Sequence, residues 1–127
     1  MSKTVVSTKN APAAIGPYSQ GILASGVTCY VSGQLPIDPA TGEFAGDDIQ
    51  SQTRQSLTNV KAILEAAGMT LENVVKTTVL LSDIGNFVPM NEVYAEFFGT
   101  DCPARAAFQA AALPKGALVE IEAIAVK

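Results

Sequence analysis

The sequence predicts an α+β fold of two layers, in which two helices cover one face of a mixed β-sheet. Three observations support this: short apolar strands separated by turn residues, two stretches with helical periodicity, and a length of 127 residues, 48% of them hydrophobic, which suits one compact domain spanning residues 1–127. Two helices cannot cover both faces of such a sheet, so the expected order βββ-α-β-α-ββ places them on one side.

Three strands are predicted before the first helix. Val5 and Val6 open a short strand, and residues 18–23 and 27–33 form two more around a turn at residues 25 and 26, which favours a hairpin or a meander. Residues 36–42 then carry Pro and Gly at positions typical of a tight turn.

The first helix is predicted over residues 48–67. Asp47 or Asp48 can cap its exposed amides, and Gly68 occupies the position where a left-handed residue ends a helix. Its apolar residues recur at helical spacing: Ile49, Leu57, Val60, Ile63, Leu64 and Ala67.

The second half adds a buried strand, a helix and a hairpin. Residues 74–81 are almost entirely apolar or β-branched and predict a central strand, and residues 87–98 predict a helix ended by Gly99. The turn at residues 113–116 predicts that strands 104–111 and 118–126 form a closing hairpin. The helical stripe is interpreted as core: Phe87, Met90, Tyr94 and Phe97. The sheet face without helices stays rich in Ala, Val and Ile, so a homo-oligomer is expected.

Composition excludes several classes of function. Eight basic and twelve acidic residues give a net charge of −4 without any basic cluster, so nucleic acid is not an expected partner. The absence of histidine removes His-dependent triads and His-ligated metal sites. Cys29 and Cys102 are expected to be free thiols in a reducing compartment. Without a signal-like segment or a long apolar run, a cytoplasmic protein away from membranes is expected.

The closing hairpin suggests a charged site. If Leu113 pairs with Gly116 at the turn of this hairpin, Glu122 faces Ala107 and Glu120 faces Gln109. Arg105 and both glutamates then share one otherwise apolar face. A guanidinium there could bind a carboxylate ligand, and a glutamate could hold or deprotonate a water. An ion pair at the sheet margin accounts for the same pattern.

Three other features could belong to a site. Ser32 and Gly33 end a strand where a ligand could approach the backbone, although such glycines commonly just turn the chain. Tyr18 could donate a hydrogen bond to a ligand or anchor a loop, and Asn91 could be a site amide or a solvated helix residue.

Five segments in order resemble the RidA/YjgF family of enamine/imine deaminases, and the similarity runs from residue 3 to residue 126. They are 14–20 (AIGPYSQ), 32–36 (SGQLP), 53–60 (TRQSLTNV), 103–105 (PAR) and 113–123 (LPKGALVEIEA). The resemblance implies a chorismate-mutase-like fold and a homotrimer with a central barrel and three clefts between subunits. It also implies hydrolysis of 2-imino acids, such as 2-iminobutyrate and 2-iminopropionate, to 2-oxo acids and ammonia, which protects pyridoxal-phosphate enzymes and requires no cofactor or metal.

The resemblance also assigns residues. Arg105 matches the residue that binds the substrate carboxylate, and Glu120 matches the one that positions the attacking water. The pocket-lining positions are Tyr18, Ser32, Gly33, Asn91 and Ala107. Many bacterial members have cysteine where this chain has Ala107, so thiol-dependent activities are not expected, whereas the backbone amide there is retained.

Two alternatives follow from the same residues. The arginine pocket could retain a 2-oxo acid or a similar small carboxylate without turnover, as a binding or sensing protein. A ribonuclease or translation-inhibitor role, attached to some relatives, is disfavoured by the acidic pI of about 4.6 and the missing histidine.

Overall fold

The computed structural model describes residues 2–127, and the predicted order of strands and helices is confirmed. Short 3-10 turns precede β4, α2 and β6. The elements are β1 (Ser2–Val6), β2 (Gly21–Ser25), β3 (Thr28–Gln34), α1 (Ile49–Ala66), β4 (Val74–Leu81), α2 (Phe87–Phe98), β5 (Ala104–Gln109) and β6 (Val119–Val126).

The strands form a two-stranded sheet, β1-β2, and a four-stranded mixed sheet in the order β3-β6-β4-β5. The predicted hairpin between β2 and β3 is wrong, because β2 pairs with β1 and β3 pairs with β6. The cause lies at Val27, whose backbone exchanges hydrogen bonds of 2.8 and 2.9 Å with Lys127 and so aligns β3 with the end of β6.

The predicted closing hairpin is also wrong, because β4 lies between β5 and β6. β5 runs parallel to β4, with α2 as the crossover connection that parallel strands require. The segment from Gln109 to Val119 is long enough to pass β4, and its turn at Pro114–Gly116 includes Lys115 in the left-handed region, at φ 58°. β6 therefore returns antiparallel to β4 on the far side.

Both helices begin and end close to their predicted positions. Asp48 caps α1 by accepting a hydrogen bond of 2.9 Å from the Ser51 amide, and Gly68 follows the helix at φ 75°. Because alternate strand residues point to opposite faces, one face of β4 and β6 packs against the helices. The core there contains Ile49, Leu57, Val79, Leu81, Met90, Tyr94, Val119 and Ile121.

The opposite face of the four-stranded sheet, called here the open face, carries the intervening residues. Its large exposed apolar side chains are aromatic: Tyr30 is 77% exposed and Phe108 is 50% exposed. The predicted apolar patch is present in part, because Ala104, Ala106 and Ile124 lie on this face, and it also carries polar side chains that include Glu120 and Glu122. In residues 2–127, no helix has the length and hydropathy to cross a membrane.

Candidate functional site around Arg105

Arg105 lies on β5, an edge strand of the four-stranded sheet, and points towards α2. Its guanidinium carbon is 4.8 Å from the centre of the Tyr94 ring, 5.4 Å from that of Phe87 and 5.5 Å from that of Tyr18. Its Nη1 donates a 2.6 Å hydrogen bond to Oδ1 of Asn91. Three aromatic rings and one neutral amide therefore surround a half-buried cation.

No carboxylate neutralises this cation in the part of the chain that the structure describes. The ion pair found there joins Arg54 of α1 to Glu96 of α2, at 3.2 Å on the surface. Burial lowers the pKa of Arg105, but a guanidinium remains protonated in proteins. Tyr94 supplies no anion either, because burial raises the pKa of its phenol. The pattern is that of a cation able to bind an anionic ligand.

Tyr18 and Asn91 both contact Arg105. The Tyr18 hydroxyl accepts a 3.4 Å hydrogen bond from the Ile15 amide, which ties the loop before β2 to the ring. Gly16 lies between the Tyr18 ring and the Asn91 amide, since a Cβ there would be 3.7 Å from the ring and 3.9 Å from Nδ2. Ala107 lies two residues beyond Arg105 on the same strand face, paired with Val79 and partly buried against the core.

Glu120 lies on the open face, on the other side of the sheet from Arg105. Its register partner on β4 is Leu80, whereas the partner of Arg105 is Thr77, whose side chain faces the helices. The prediction that Arg105 shares a face with both glutamates is therefore wrong. It assumed direct pairing of β5 with β6, and the strand between them changes the register.

Gly33 lies next to Glu120 and not next to Arg105. It lies where the pairing of β3 with β6 shifts register, between Val31 and Gln34, and a Cβ at position 33 would overlap the Glu120 carboxylate. Ser32, next to it, is exposed. Within one chain, the predicted site residues thus form two groups: Arg105 with Tyr18, Asn91 and Ala107, and Glu120 with Ser32 and Gly33.

Phe87 and Tyr94 were not predicted as neighbours of Arg105, because their helical spacing in α2 assigned them to the core. They do pack against the core, and they also contact the guanidinium. The parallel pairing of β4 with β5, which places Thr77 beside Arg105, carries no local sequence signal.

In the described residues, no group of three His, Cys, Asp or Glu side chains is arranged to hold a metal ion.

Fold and site together define a small α+β protein with an unneutralised arginine under its second helix. A family model described as Endoribonuclease L-PSP matches residues 8–127. A RutC family protein of Pyrococcus horikoshii is 58% identical over 125 residues, covering 98% of each chain. The 2-iminobutanoate/2-iminopropanoate deaminase of Bos taurus is 54% identical over 125 residues, which are 98% of this chain and 90% of that protein.

Solved structures agree with these sequence relatives. The crystal structure of E. coli TdcF with bound serine is 46% identical, with a TM-score of 0.77 and coverage of 98% of both chains. The chain therefore belongs to the RidA/YjgF family.

Proposed function

We propose that this protein hydrolyses 2-imino acids, such as 2-iminobutyrate and 2-iminopropionate, to 2-oxo acids and ammonia. The observation that carries the proposal is the half-buried Arg105 guanidinium, which has aromatic and amide neighbours but no carboxylate partner in the described chain. The relative in Bos taurus named as a deaminase of these imines supports the same chemistry.

In this proposal, Arg105 binds the substrate carboxylate. A guanidinium has five N–H donors in a planar fork, and Asn91 occupies one of them, so two parallel bonds to a carboxylate remain possible. The rings of Tyr18, Phe87 and Tyr94 exclude water from the contact and strengthen it. The imine carbon is thereby held in one place and orientation.

Glu120 has to come from a second copy of the chain, because the sheet separates it from Arg105 of its own chain. We therefore propose that residues 1–127 act as one domain in a homotrimer whose open faces form a central barrel. Each of three clefts would then combine Arg105, Tyr18, Asn91 and Ala107 of one copy with Glu120, Ser32 and Gly33 of the next. The exposed Tyr30 and Phe108 support burial of the open face.

The reaction consumes one water molecule, and Glu120 is unprotonated again when the reaction is complete. Glu120 accepts a proton as water oxygen bonds to C2 and the C=N bond becomes a single bond. That proton is then delivered to nitrogen, which gives a carbinolamine with one hydroxyl and one amino group on C2. Glu120 next takes the hydroxyl proton and passes it to the amino nitrogen, the C–N bond breaks, and C2 becomes the carbonyl carbon of the 2-oxo acid. Ammonia leaves, and the carboxylate remains on Arg105 until the product dissociates.

The test adds the pure protein to a threonine dehydratase reaction and follows release of 2-oxobutyrate. We expect faster release, and a loss of at least about thirtyfold of that acceleration for Arg105→Ala, because the substrate charge loses its partner. The matched control is Arg54→Ala, which removes an exposed arginine from a surface ion pair and should leave the acceleration unchanged. Absence of acceleration at stoichiometric protein would refute the deaminase.

A second candidate is a small-carboxylate binding protein without turnover, which the serine bound in TdcF supports by similarity. It predicts that 2-oxobutyrate binds Arg105→Ala much more weakly than the wild type, while imine hydrolysis is not accelerated. Calorimetric titration beside the dehydratase assay separates the two.

A further inference from the structure

Two buried hydroxyl groups lie beneath Arg105. Oγ1 of Thr77 and the Tyr94 hydroxyl are 2.7 Å apart, and their residues are 1% and 0% exposed. Thr77 is the register partner of Arg105 in the parallel pairing of β4 with β5, so it lies beside the arginine on the same sheet face. Tyr94 reaches this point from α2.

The Tyr94 ring is held on both sides. Its hydroxyl is bonded to Thr77, and its ring packs on Phe98 with centroids 4.7 Å apart. Of the three rings around the guanidinium, that of Tyr94 is nearest, at 4.8 Å. A cation at this distance is attracted to the ring quadrupole, and the attraction is stronger in buried surroundings.

A role in packing alone does not account for this arrangement. Burying two hydroxyl groups costs free energy that their mutual hydrogen bond largely offsets, and a Phe–Val pair would fill nearly the same volume without that cost. What the hydrogen bond adds is a fixed direction for the ring on which the guanidinium lies. Asn91 fixes the guanidinium at Nη1 in its plane, and Tyr94 limits its movement out of the plane.

We propose that Tyr94 is a positioning residue for Arg105, with Thr77 holding the tyrosine ring in place. The inference rests on the proposed function, since it specifies how the carboxylate-binding group is oriented. Tyr94 touches no substrate; it acts through the guanidinium.

The test compares two probes that differ in charge, 2-oxobutyrate and its neutral amide, 2-oxobutanamide. We expect Tyr94→Leu to weaken 2-oxobutyrate binding by about tenfold, because the ring contact is lost, and to change the amide affinity little. In the deamination assay, KM should rise more than kcat falls. Tyr94→Phe keeps the ring but loses the hydrogen bond to Thr77, so it should restore only part of the preference for the charged probe. A full wild-type preference in Tyr94→Phe would overturn the role of Thr77. Adding Thr77→Val to Tyr94→Phe should recover thermal stability.

A double-mutant cycle with Arg105→Met tests whether Tyr94 acts through the arginine. With Arg105 absent, Tyr94→Leu should not weaken 2-oxobutyrate binding further, whereas a general packing defect would weaken it in both backgrounds. The control Leu64→Ala opens a cavity in the other core cluster, so it should lower stability without changing the ratio of the two affinities.

The outcomes separate the two proposals. A wild type that fails both to prefer 2-oxobutyrate over the amide and to accelerate imine hydrolysis overturns the proposed function and the inference together. A wild type with an Arg105-dependent preference that Tyr94→Leu leaves intact overturns the positioning role alone.

Discussion

Mixing two inactive variants should restore activity if Arg105 and Glu120 meet only between copies of the chain. The variants are Arg105→Ala, which keeps Glu120, and Glu120→Gln, which keeps Arg105. Each alone is expected to be inactive, since every cleft lacks one of the two groups. The prediction derives from the register of β4, which pairs with Arg105 through Thr77 and with Glu120 through Leu80, on opposite faces of the sheet.

The restored fraction follows from counting clefts. In a closed ring assembled at random from equal amounts of the two variants, about one quarter of the clefts receive Arg105 from one copy and Glu120 from the next. This fraction does not depend on the number of copies in the ring. We therefore expect about one quarter of wild-type acceleration in the threonine dehydratase assay, after co-refolding of the two variants from denaturant.

A second mixture supplies the control. Wild type assembled with an equal amount of the double variant, Arg105→Ala with Glu120→Gln, should show about one quarter of the activity of the same total amount of wild type if clefts lie between copies, and about one half if each chain has its own site. Native mass spectrometry of differently tagged chains verifies mixing. If mixed oligomers form but the two single variants show no activity above their separate values, Arg105 and Glu120 do not act together between copies. An active Glu120→Gln parent would refute the role of the glutamate itself.

The remaining predictions concern the Glu120 region, the oligomer and the start of α1. Gly33→Ala should reduce kcat by roughly tenfold or more, because a Cβ displaces the Glu120 carboxylate, while thermal unfolding shows a folded protein. Sedimentation should give a mass near 40 kDa, about three times the 13.2 kDa chain, and a 13.2 kDa monomer would contradict the trimer. The Ser51 amide lowers the pKa of Asp48, so the capping contribution is present above the unfolded pKa and is lost as pH falls through the folded pKa. Asp48→Asn keeps an acceptor but cannot titrate, so its melting temperature should fall less than that of wild type between pH 7 and pH 2.

The helices and most strand positions could be predicted because local signals define them. Asp48 and Gly68 mark the two ends of α1, and the apolar run of β4 matches Val74–Leu81. These signals depend on residues close in sequence, so pattern analysis detects them.

Strand pairing could not be predicted, because it depends on groups distant in sequence. Nothing near Ser25 shows that Val27 exchanges backbone hydrogen bonds with Lys127, one hundred positions away. The turn before β6 resembles a hairpin turn, but the connection around it passes β4. Both errors assumed that consecutive strands are neighbours. The second error placed Glu120 on the same face as Arg105.

The separation of Arg105 from Glu120 bears directly on how such a site could work. A glutamate within reach on the same face would form an ion pair with the guanidinium and compete with an incoming carboxylate. Of the twelve acidic residues in the sequence, none is within ion-pair distance of Arg105 in the described part of the chain. The rings and the Asn91 amide keep the charge partly desolvated without neutralising it. Because a desolvated cation gains most from a new anionic partner, this arrangement favours an anionic ligand over any group that the same copy of the chain supplies.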